Sequence, residues 1–354
     1  MAHDLILVGT GGQGGAWCAH FLPPNVEAGH VNVVAAADVD PDALDNAREH
    51  LGLADDRLYT DAAAAFAGHD ADCCAIVTPP FVHEEVVDLA VEHDCDIISE
   101  KPIADTLEAS VRIAEKVERA GLKMGVTMSH RFDRDKTTLR AALEDPDTGP
   151  VDYLVGRFTC ALREYGAWGA FRHDMADPLM VEGAVHQLDF LADMAGEEVT
   201  RLYADTWLPE WGEYDGDCQA LVQFRTADGT RVAWEGAKAN ATSLNCWGHD
   251  YVRAECRDAT VTLDDREITR RPYADGEESE PVPLIEGDTW SNTWLIEQFA
   301  EWLDGDEPMA TNVHDNLQSM ALVEGAIASS RTGETVHVQE LLAETRERVR
   351  AELD

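Results

Sequence analysis

The first third of the chain alternates short apolar runs with segments whose apolar residues recur at helical spacing. The apolar runs predict strands at residues 5–8, 31–37, near 57–59, 71–77, 95–99 and 122–126. Helices are predicted between them at residues 12–20, from Asp40-Pro41, from Thr60-Asp61, and at 82–93 and 105–120. Strands that alternate with helices predict right-handed crossovers and a parallel sheet covered on both faces.

The pattern changes after about residue 127. Strands are predicted at residues 151–162, 199–207, 218–225, 231–239, 251–256 and 260–263. Helices are predicted at residues 134–144, 179–195, 292–303 and 312–331, with an acidic loop at 273–280. Asp228-Gly229 favours positive φ and therefore predicts a hairpin. We expect two domains of α/β class, residues 1–126 with a doubly wound parallel sheet and residues 127–354 with a mostly antiparallel one.

The charge balance changes the expected surroundings of the protein. The 354 residues include 69 acidic and 27 basic ones, for a net charge of −42, and the acids are spread along the chain. Regular apolar segments argue against a disordered acidic protein, so we expect a carboxylate-covered surface, as in halophilic organisms that keep molar salt in the cytoplasm. At about 1 M salt the Debye length is roughly 3 Å, which screens self-repulsion. Nucleic acid and anionic membrane are excluded as partners because both would be repelled.

The remaining composition indicates a cytoplasmic protein with reduced thiols. The chain has no apolar run long enough for a transmembrane helix, and its first four residues carry no basic region typical of a signal peptide. Eight cysteines occur without a C-x-x-C pair, so neither a zinc ribbon nor a redox dithiol is indicated. We expect reduced cysteines in the core.

A glycine-rich turn follows the first predicted strand and opens the first helix. Gly9, Gly11 and Gly14 fit the pattern G-x-G-x-x-G, with Gly12 and Gln13 inside it. Glycines let the backbone turn tightly and approach a pyrophosphate, which then lies at the helix N-terminus. The strand–turn–helix context favours a dinucleotide site over a turn without a ligand.

An aspartate ends the second predicted strand. The carboxylate of Asp38 is placed to accept hydrogen bonds from the adenosine ribose, with Val39 beside it. A carboxylate there repels a 2′-phosphate, which favours NAD over NADP. The alternative is that Asp38 and Asp40 only cap the following helix.

Two further motifs follow the fourth and fifth predicted strands. Thr78-Pro79-Pro80 precedes His83, and Glu100-Lys101-Pro102 comes after the next strand. Ligands of open parallel sheets bind at the carboxyl ends of their strands. A partly desolvated Lys101 could assist proton transfer, or it could form a surface ion pair with Glu100.

One helix in the second half carries three polar residues on one face. Glu182, His186 and Asp189 are at positions i, i+4 and i+7. A histidine bracketed by acids suits acid–base catalysis or orientation of a substrate. A metal site and a solvated stripe are the alternatives that this spacing leaves open.

Taken together and in order, these motifs resemble the glucose–fructose oxidoreductase and inositol dehydrogenase family, Gfo/Idh/MocA. The resemblance covers nearly the whole chain and includes Met124-Gly125-Val126 leading to His130-Arg131-Phe132. It implies a Rossmann domain followed by an α/β domain with a large open sheet. It also implies a nicotinamide cofactor, a sugar or polyol substrate lying between the domains, and a homodimer or homotetramer.

The same resemblance implies roles for individual residues. Lys101 is expected beside the nicotinamide and the reacting hydroxyl, and His186 is expected to take the hydroxyl proton. Thr78, Pro79, His83 and Glu100 are expected on the cofactor side. Glu182 stands where many members have aspartate, so it either touches the substrate or orients its neighbours. No metal is required.

Further residues are expected to form the substrate wall, with ordinary surface positions as the alternative. They are Arg131, Trp168, Arg172, His173 and Asp189.

Two rival functions remain compatible with this resemblance. Some related enzymes oxidise and re-reduce a sugar transiently, to permit elimination or glycoside cleavage, and release no net NADH. A regulator that senses sugar or nucleotide without chemistry should have lost Lys101 or His186, and both are present.

Overall fold

A computed structural model describes residues 2–196, 198–273 and 278–354. The chain forms two compact units, and neither is continuous in sequence. The first unit comprises Met1–Ser129, Thr289–Leu317 and Thr345–Asp354, and the second comprises His130–Asp288 and Gln318–Glu344. The domain boundary at residues 126 and 127 stays a prediction. Residues 274–277, the middle of the expected acidic loop, lie outside the described residues.

The first unit contains the expected parallel sheet. Its strands are β1 (His3–Val8), β2 (Val31–Ala37), β3 (Leu58–Tyr59), β4 (Cys73–Ile76), β5 (Asp96–Ser99) and β6 (Met124–Val126). They are hydrogen-bonded in the order β3-β2-β1-β4-β5-β6, and the neighbours run parallel. All four residues of β4 are buried, as expected for a strand covered on both faces. This confirms the doubly wound Rossmann sheet.

The helices of this sheet follow the prediction with two corrections. They are α1 (Gln13–Ala16), α2 (Leu22–Ala28), α3 (Asp45–Leu51), α4 (Ala62–Gly68), α5 (His83–Glu92) and α6 (Leu107–Ala120). The first helix does not end at residue 20, because a π-helical segment, Trp17–Phe21, joins α1 to α2. The helix predicted from Asp40-Pro41 begins only at Asp45, because turns occupy residues 41–44.

The second unit contains a large mixed sheet. Its strands are β7 (Val151–Thr159), β8 (Val199–Trp207), β9 (Gln219–Thr226), β10 (Arg231–Ala237), β11 (Tyr251–Cys256), β12 (Ala259–Asp264), β13 (Glu267–Pro272), β14 (Glu280–Val282) and β15 (Val336–His337). Within the described ranges their order is β14-β13-β12-β11-β7-β10-β9-β8-β15, and β7 and β10 are the one parallel pair. This confirms a mostly antiparallel sheet, and the predicted hairpin joins β9 to β10. Strands β13 to β15 were not predicted, because they are short or rich in charge and proline.

The remaining helices of the chain are α7 (Arg134–Glu144), α8 (Ala170–His173), α9 (Val185–Ala195), α10 (Ser291–Asp304), α11 (Val313–Thr332) and α12 (Val338–Leu353).

One face of the large sheet is covered by a helix and the other is exposed. Helix α9 continues a π-helical segment, Leu179–Ala184, and packs against β7 and β10. Tyr203 and Leu221 point from the opposite face and are about half exposed (46% and 53%). In the described part of the chain, no helix is both long and apolar enough to cross a membrane.

The expectation of reduced cysteines throughout was wrong for one pair. Cys160 and Cys246 form a disulfide, with their Cα atoms 5.1 Å apart. The two residues are 86 positions apart in sequence, so only the pairing of distant segments brings them together. Cys18, Cys73 and Cys218 are buried free thiols, as expected.

Candidate functional site

The glycine turn is held by close contacts between backbone segments. Gly9 has a φ of +95°, and a Cβ there would lie 2.3 Å from the carbonyl oxygen of Val77. A Cβ on Gly14 would lie 2.3 Å from the carbonyl oxygen of Gly9. Glycine at positions 9 and 14 is therefore required for the start of α1 to pack against the ends of β1 and β4.

The outer side of this turn is open. Gly12 has a φ of +50°, and a Cβ there would meet no atom within 4 Å. A Cβ on Gly11 would touch only Ala43 and Asp38, at 3.4 and 3.7 Å. The turn therefore leaves its backbone accessible at a helix N-terminus, which fits the pyrophosphate of a dinucleotide.

Asp38 binds the glycine turn itself. Its Oδ2 accepts hydrogen bonds from the backbone N–H groups of Thr10 (2.7 Å) and Gly11 (3.0 Å), and its Oδ1 accepts one from Asp40 (2.9 Å). The carboxylate thus fixes the turn to the end of β2, a role that was not predicted. Thr10 Oγ1 also donates to Oδ2, at 3.3 Å, whereas Oδ1 accepts only the bond from Asp40 among the described residues, so Oδ1 keeps an acceptor position for a ribose hydroxyl. Val39 beside it is exposed.

Glu100 anchors the loop that carries Lys101. Its buried carboxylate accepts hydrogen bonds from Trp17 Nε1 (2.8 Å) and Gln13 Nε2 (3.3 Å) through Oε1. Its Oε2 accepts one from the backbone N–H of Lys101 (3.2 Å). Lys101 is half-buried, and its bond to Pro102 is cis. Glu100 therefore ties the loop after β5 to the first helix.

His83 is fully buried and joins two loops at the strand ends. Its Nε2 lies 2.8 Å from the carbonyl oxygen of Thr78, and its Nδ1 lies 3.1 Å from that of Ile103. Thr78 is half-buried and Pro79 is exposed. The structure thus places His83 behind the loop surface, where it fixes the backbone of Thr78.

The three polar residues of the second-unit helix are all buried. Glu182, His186 and Asp189 are 3%, 5% and 1% exposed, which excludes a solvated stripe. They have different partners, although their spacing puts them on one helix face. The π-helical segment before α9 carries Glu182, and such segments are frequent at functional sites.

Glu182 holds an arginine that lies on aromatic rings. Arg172 Nε donates to Glu182 Oε2 at 2.8 Å, and Nη1 donates to the carbonyl oxygen of Trp168 at 3.1 Å. The guanidinium carbon lies 4.3 Å from the ring centroid of Phe171 and 5.4 Å from that of Trp168. Of the expected wall residues, Arg172 and Trp168 are therefore brought together beside Glu182.

Arg131 and Asp189 are partners of each other. The guanidinium of Arg131 contacts both carboxylate oxygens of Asp189, with Nε at 2.9 Å from Oδ2. Ser319 Oγ donates to Oδ1 at 2.7 Å. This ion pair joins α9 to the segment that carries Arg131, and it occupies the carboxylate that was expected at the substrate wall.

His173 positions Trp168 from inside the second unit. The backbone N–H of Trp168 donates to Nε2 at 3.4 Å, so Nδ1 carries the proton and donates to the carbonyl oxygen of Glu213 at 2.7 Å. The ring stacks on Tyr214 with centroids 3.9 Å apart. His173 is 1% exposed, so it supports the wall from behind.

His186 lies in a cluster of rings that was not predicted. Its ring stacks on His130 with centroids 4.0 Å apart and an interplanar angle of 9°. Trp247 is nearly perpendicular to both rings, at 6.2 Å from His186 and 5.5 Å from His130. His130 was visible only as part of the motif His130-Arg131-Phe132, and nothing in the sequence indicated Trp247.

A buried ion pair lies close to this cluster. Lys136 Nζ is 2.7 Å from Asp250 Oδ2, and both side chains are fully buried. Burial alone would lower the pKa of Lys136, but the carboxylates of Asp250, Asp133 and Asp135 hold that pKa above its ordinary range. Burial alone would raise the pKa of Asp250, but Lys136 and His130 hold it below its ordinary range. The scarcity of lysine was the one sequence signal for Lys136.

Comparison with known proteins identifies the family. Residues 5–128 match the oxidoreductase family, NAD-binding Rossmann fold, of the Gfo/Idh/MocA proteins. Residues 148–338 match the C-terminal alpha/beta domain of the same family. The chain belongs to the Gfo/Idh/MocA oxidoreductase family, and its first unit contains an NAD-binding Rossmann domain.

Individual relatives cover almost the whole chain. Protein y4oX of Sinorhizobium fredii, which is uncharacterized, is 50% identical over 97% of both chains. The D-apiose dehydrogenase of Paraburkholderia graminis is 27% identical over 88% of this chain and 84% of its own. An oxidoreductase from Agrobacterium radiobacter, solved with NAD+, L-tartaric acid and magnesium, has a TM-score of 0.82 at 20% identity, covering 96% of this chain and 100% of its own. This last likeness concerns the fold alone.

Proposed function

We propose that the protein is an NAD-dependent dehydrogenase that transfers a hydride between a hydroxyl-bearing carbon of a sugar or polyol and nicotinamide. The observation that carries this proposal is the buried His186, confined by a parallel ring stack on a helix beside the Glu182–Arg172 pair. A histidine is suited to take a hydroxyl proton near neutral pH. The similarity to a D-apiose dehydrogenase supports a sugar or polyol as the substrate class.

In this proposal, different residues bind the cofactor, take the proton and stabilise the developing charge. Bound NAD supplies the hydride acceptor, and the glycine turn with Asp38 holds its pyrophosphate and ribose. His186 takes the hydroxyl proton as the carbon loses its hydride, so that an alcohol becomes a carbonyl. Lys101, on the loop after β5, is the proposed donor that stabilises negative charge as it develops on the reacting oxygen.

Glu182 has a positioning role in this proposal. Its carboxylate is engaged by Arg172, so it acts by orienting that guanidinium and not as a second base. Arg172 and Trp168 then contact the sugar hydroxyls and its C–H face. His83, Glu100 and the other cofactor-side residues hold the loops that present Thr78, Pro79 and Lys101.

The decisive experiment is a spectrophotometric screen for NADH at 340 nm. The purified protein is incubated in about 2–3 M KCl, which screens the acidic surface, with NAD or NADP and a panel of aldoses, inositols, sugar acids and polyols. Substrate-dependent NADH formation that is lost in Lys101→Ala and His186→Ala supports the proposal. Tight NAD binding without NADH release from any substrate contradicts it and favours transient redox chemistry or sensing.

Asp38 is expected to set the preference for NAD. Asp38→Asn keeps an oxygen acceptor for the glycine turn but removes the charge that repels a 2′-phosphate. We expect the ratio of kcat/KM for NADP to that for NAD to rise about tenfold or more, as for the loss of one like-charge contact. Asp42→Asn, at an exposed neighbouring carboxylate, is the matched control and should leave the ratio unchanged. An unchanged ratio in Asp38→Asn would contradict the assignment.

The charge of −42 predicts that the protein works at high salt. Raising KCl from about 0.1 M to about 2 M shortens the Debye length from about 10 Å to below about 3 Å and weakens self-repulsion of the folded state. We expect the thermal unfolding midpoint to rise with KCl. Sucrose at matched osmolality is the control, since it does not screen charge and should stabilise less. A midpoint that rises equally in sucrose, or falls in KCl, argues against screening.

The exposed face of the large sheet supports a homo-oligomer. In an acidic chain this face carries Arg201, Arg225 and Arg231 near the half-exposed Tyr203 and Leu221. A face that combines exposed aromatic and aliphatic side chains with arginines is typical of an interface between subunits. Light scattering in high salt would give the mass of the particle.

A further inference from the structure

Lys238 is fully buried, and none of the proposed reaction steps uses it. It follows β10 directly, and its side chain has no exposed surface. The ammonium Nζ lies 3.8 Å from the ring centroid of Phe158, 4.1 Å from that of Trp168 and 4.4 Å from that of Trp247. An ammonium attracts the faces of aromatic rings, and most strongly where water is excluded. One buried cation therefore holds three rings, including Trp168 of the expected substrate wall.

Trp247 connects this cation to the proposed base. Its ring is nearly perpendicular to His186 and His130, with interplanar angles of 84° and 82°. His130 and His186 are parallel and in contact. A rotation of the Trp247 ring would open space beside both histidines. The orientation of His186 therefore depends on how firmly Trp247 is held.

The backbone at Trp247 is also fixed by a disulfide, and Cys160 Sγ of that disulfide lies 3.7 Å from Lys238 Nζ. Cys246, the preceding residue, is bonded to Cys160 at the end of β7. The carbonyl oxygen of Asn245 accepts a hydrogen bond from the N–H of Thr159 at 2.9 Å. The loop is thus attached at two consecutive residues, and the remaining freedom of Trp247 is that of its side chain. Phe158, at 4.6 Å between centroids, and Lys238 limit that freedom.

We infer that Lys238 is a positioning residue for His186. Its ammonium fixes the ring of Trp247, and that ring keeps the stacked His130–His186 pair in the orientation that proton transfer requires. This inference rests on the proposed role of His186 as the base. A base must lie within hydrogen-bond reach of its proton, and a displacement of about 1 Å can cost about 100-fold in rate.

Kinetics of two single variants and their double variant test this link. Lys238→Met keeps the apolar stem and removes the charge, and Trp247→Phe removes the indole while leaving the cation. Each should lower kcat about tenfold, as for a partly misplaced base, with KM for NAD unchanged within about twofold. The double variant should lose little beyond either single variant, because both changes act through one contact.

A spectroscopic readout makes the test independent of activity. The ring current of Trp247 shifts the ring proton resonances of His130 and His186, and these are assigned with the variants His130→Asn and His186→Asn. Lys238→Met should move both resonances towards their positions in Trp247→Phe. Lys123→Met is the matched control, because Lys123 also lies over a tryptophan ring, 5.7 Å from Trp302, and outside this cluster. It should leave kcat and the histidine resonances at their original values.

Each contrary outcome has a definite meaning. Unchanged kcat in Trp247→Phe overturns the inference even if Lys238→Met does not fold. A lower kcat in Lys238→Met with unmoved histidine resonances overturns it as well. If His186→Asn keeps full turnover while Lys238→Met still moves the resonances, the proposed base is wrong and the contact through Trp247 stands.

Discussion

His186→Asn should lower kcat by about 10²–10⁴-fold, the usual contribution of a general base. Asparagine keeps a smaller polar group in the buried position, so the helix is expected to remain folded. The substitution removes the group that takes the hydroxyl proton, and it leaves the glycine turn and Asp38 untouched. The dissociation constant for NAD should therefore be unchanged. Stopped-flow measurement of NADH formation gives kcat for the chemical step, and fluorescence titration gives the NAD affinity.

Lys101→Met provides the companion measurement for the same reaction step. If Lys101 and His186 serve one reaction step, the double variant should lose less than the product of the two single losses, because groups that act as a unit are not additive. Full turnover in His186→Asn would contradict the assignment of the base. In Lys101→Met, a loss confined to NAD affinity would indicate damage to the first unit instead of lost chemistry.

Lys136→Met should destabilise the protein by about 3–5 kcal/mol, because it leaves a buried carboxylate at Asp250 without its cation. The contact of 2.7 Å has no exposed surface on either side. Asp250 also accepts a hydrogen bond from Gln187 Nε2 at 3.2 Å, next to the proposed base. Urea unfolding in KCl would measure the loss. Lys116→Met is the control, since that partly exposed lysine pairs with Glu84 and Asp88 and should cost about 0–1 kcal/mol.

The double variant Lys136→Met/Asp250→Asn should be more stable than Lys136→Met alone, because no charge is then buried without a partner. The pKa of Asp250 is lowered and that of Lys136 is raised in the folded state. The stability from Asp250 is therefore present above its unfolded pKa of about 3.9 and is lost as the pH falls through the folded value. That from Lys136 is present below about pH 10.4 and is lost as the pH rises through the folded value. The free energy of unfolding that the original protein gains from this pair should therefore fall below about pH 3.9 and above about pH 10.4, whereas the double variant lacks both pH dependences. An unfolding free energy difference between the two proteins that falls at neither limit would contradict the pairing.

Local sequence determined most of the parallel sheet of the first unit. Apolar runs, the glycine turn and the glycine after α6 act over a few residues, so β1, β2, β4 and the C-terminal end of α6 follow from neighbouring positions. The exceptions are also local. The first helix was predicted to end at residue 20, but a π-helical segment joins it to α2, whose first turn accommodates Pro23.

The roles of the site residues were only partly accessible from the sequence. Spacing predicted that Glu182, His186 and Asp189 share a helix, and it left a solvated stripe open until their burial excluded it. The pairing of Arg131 with Asp189 spans 58 residues, and that of Lys136 with Asp250 spans 114 positions. No local pattern encodes such distances, because the order of strands in a sheet decides which segments meet.

The sequence by itself determined the class of fold, the dinucleotide turn and the acidic surface, because each depends on short-range periodicity, on residues adjacent in the chain or on composition. The tertiary structure alone decided that Cys160 bonds to Cys246, that Lys238 holds three aromatic rings, and that Trp247 lies against the histidine pair. These contacts join residues from separate strands and loops of the large sheet. Their physical origin is the packing of side chains that become neighbours only when the sheet has formed.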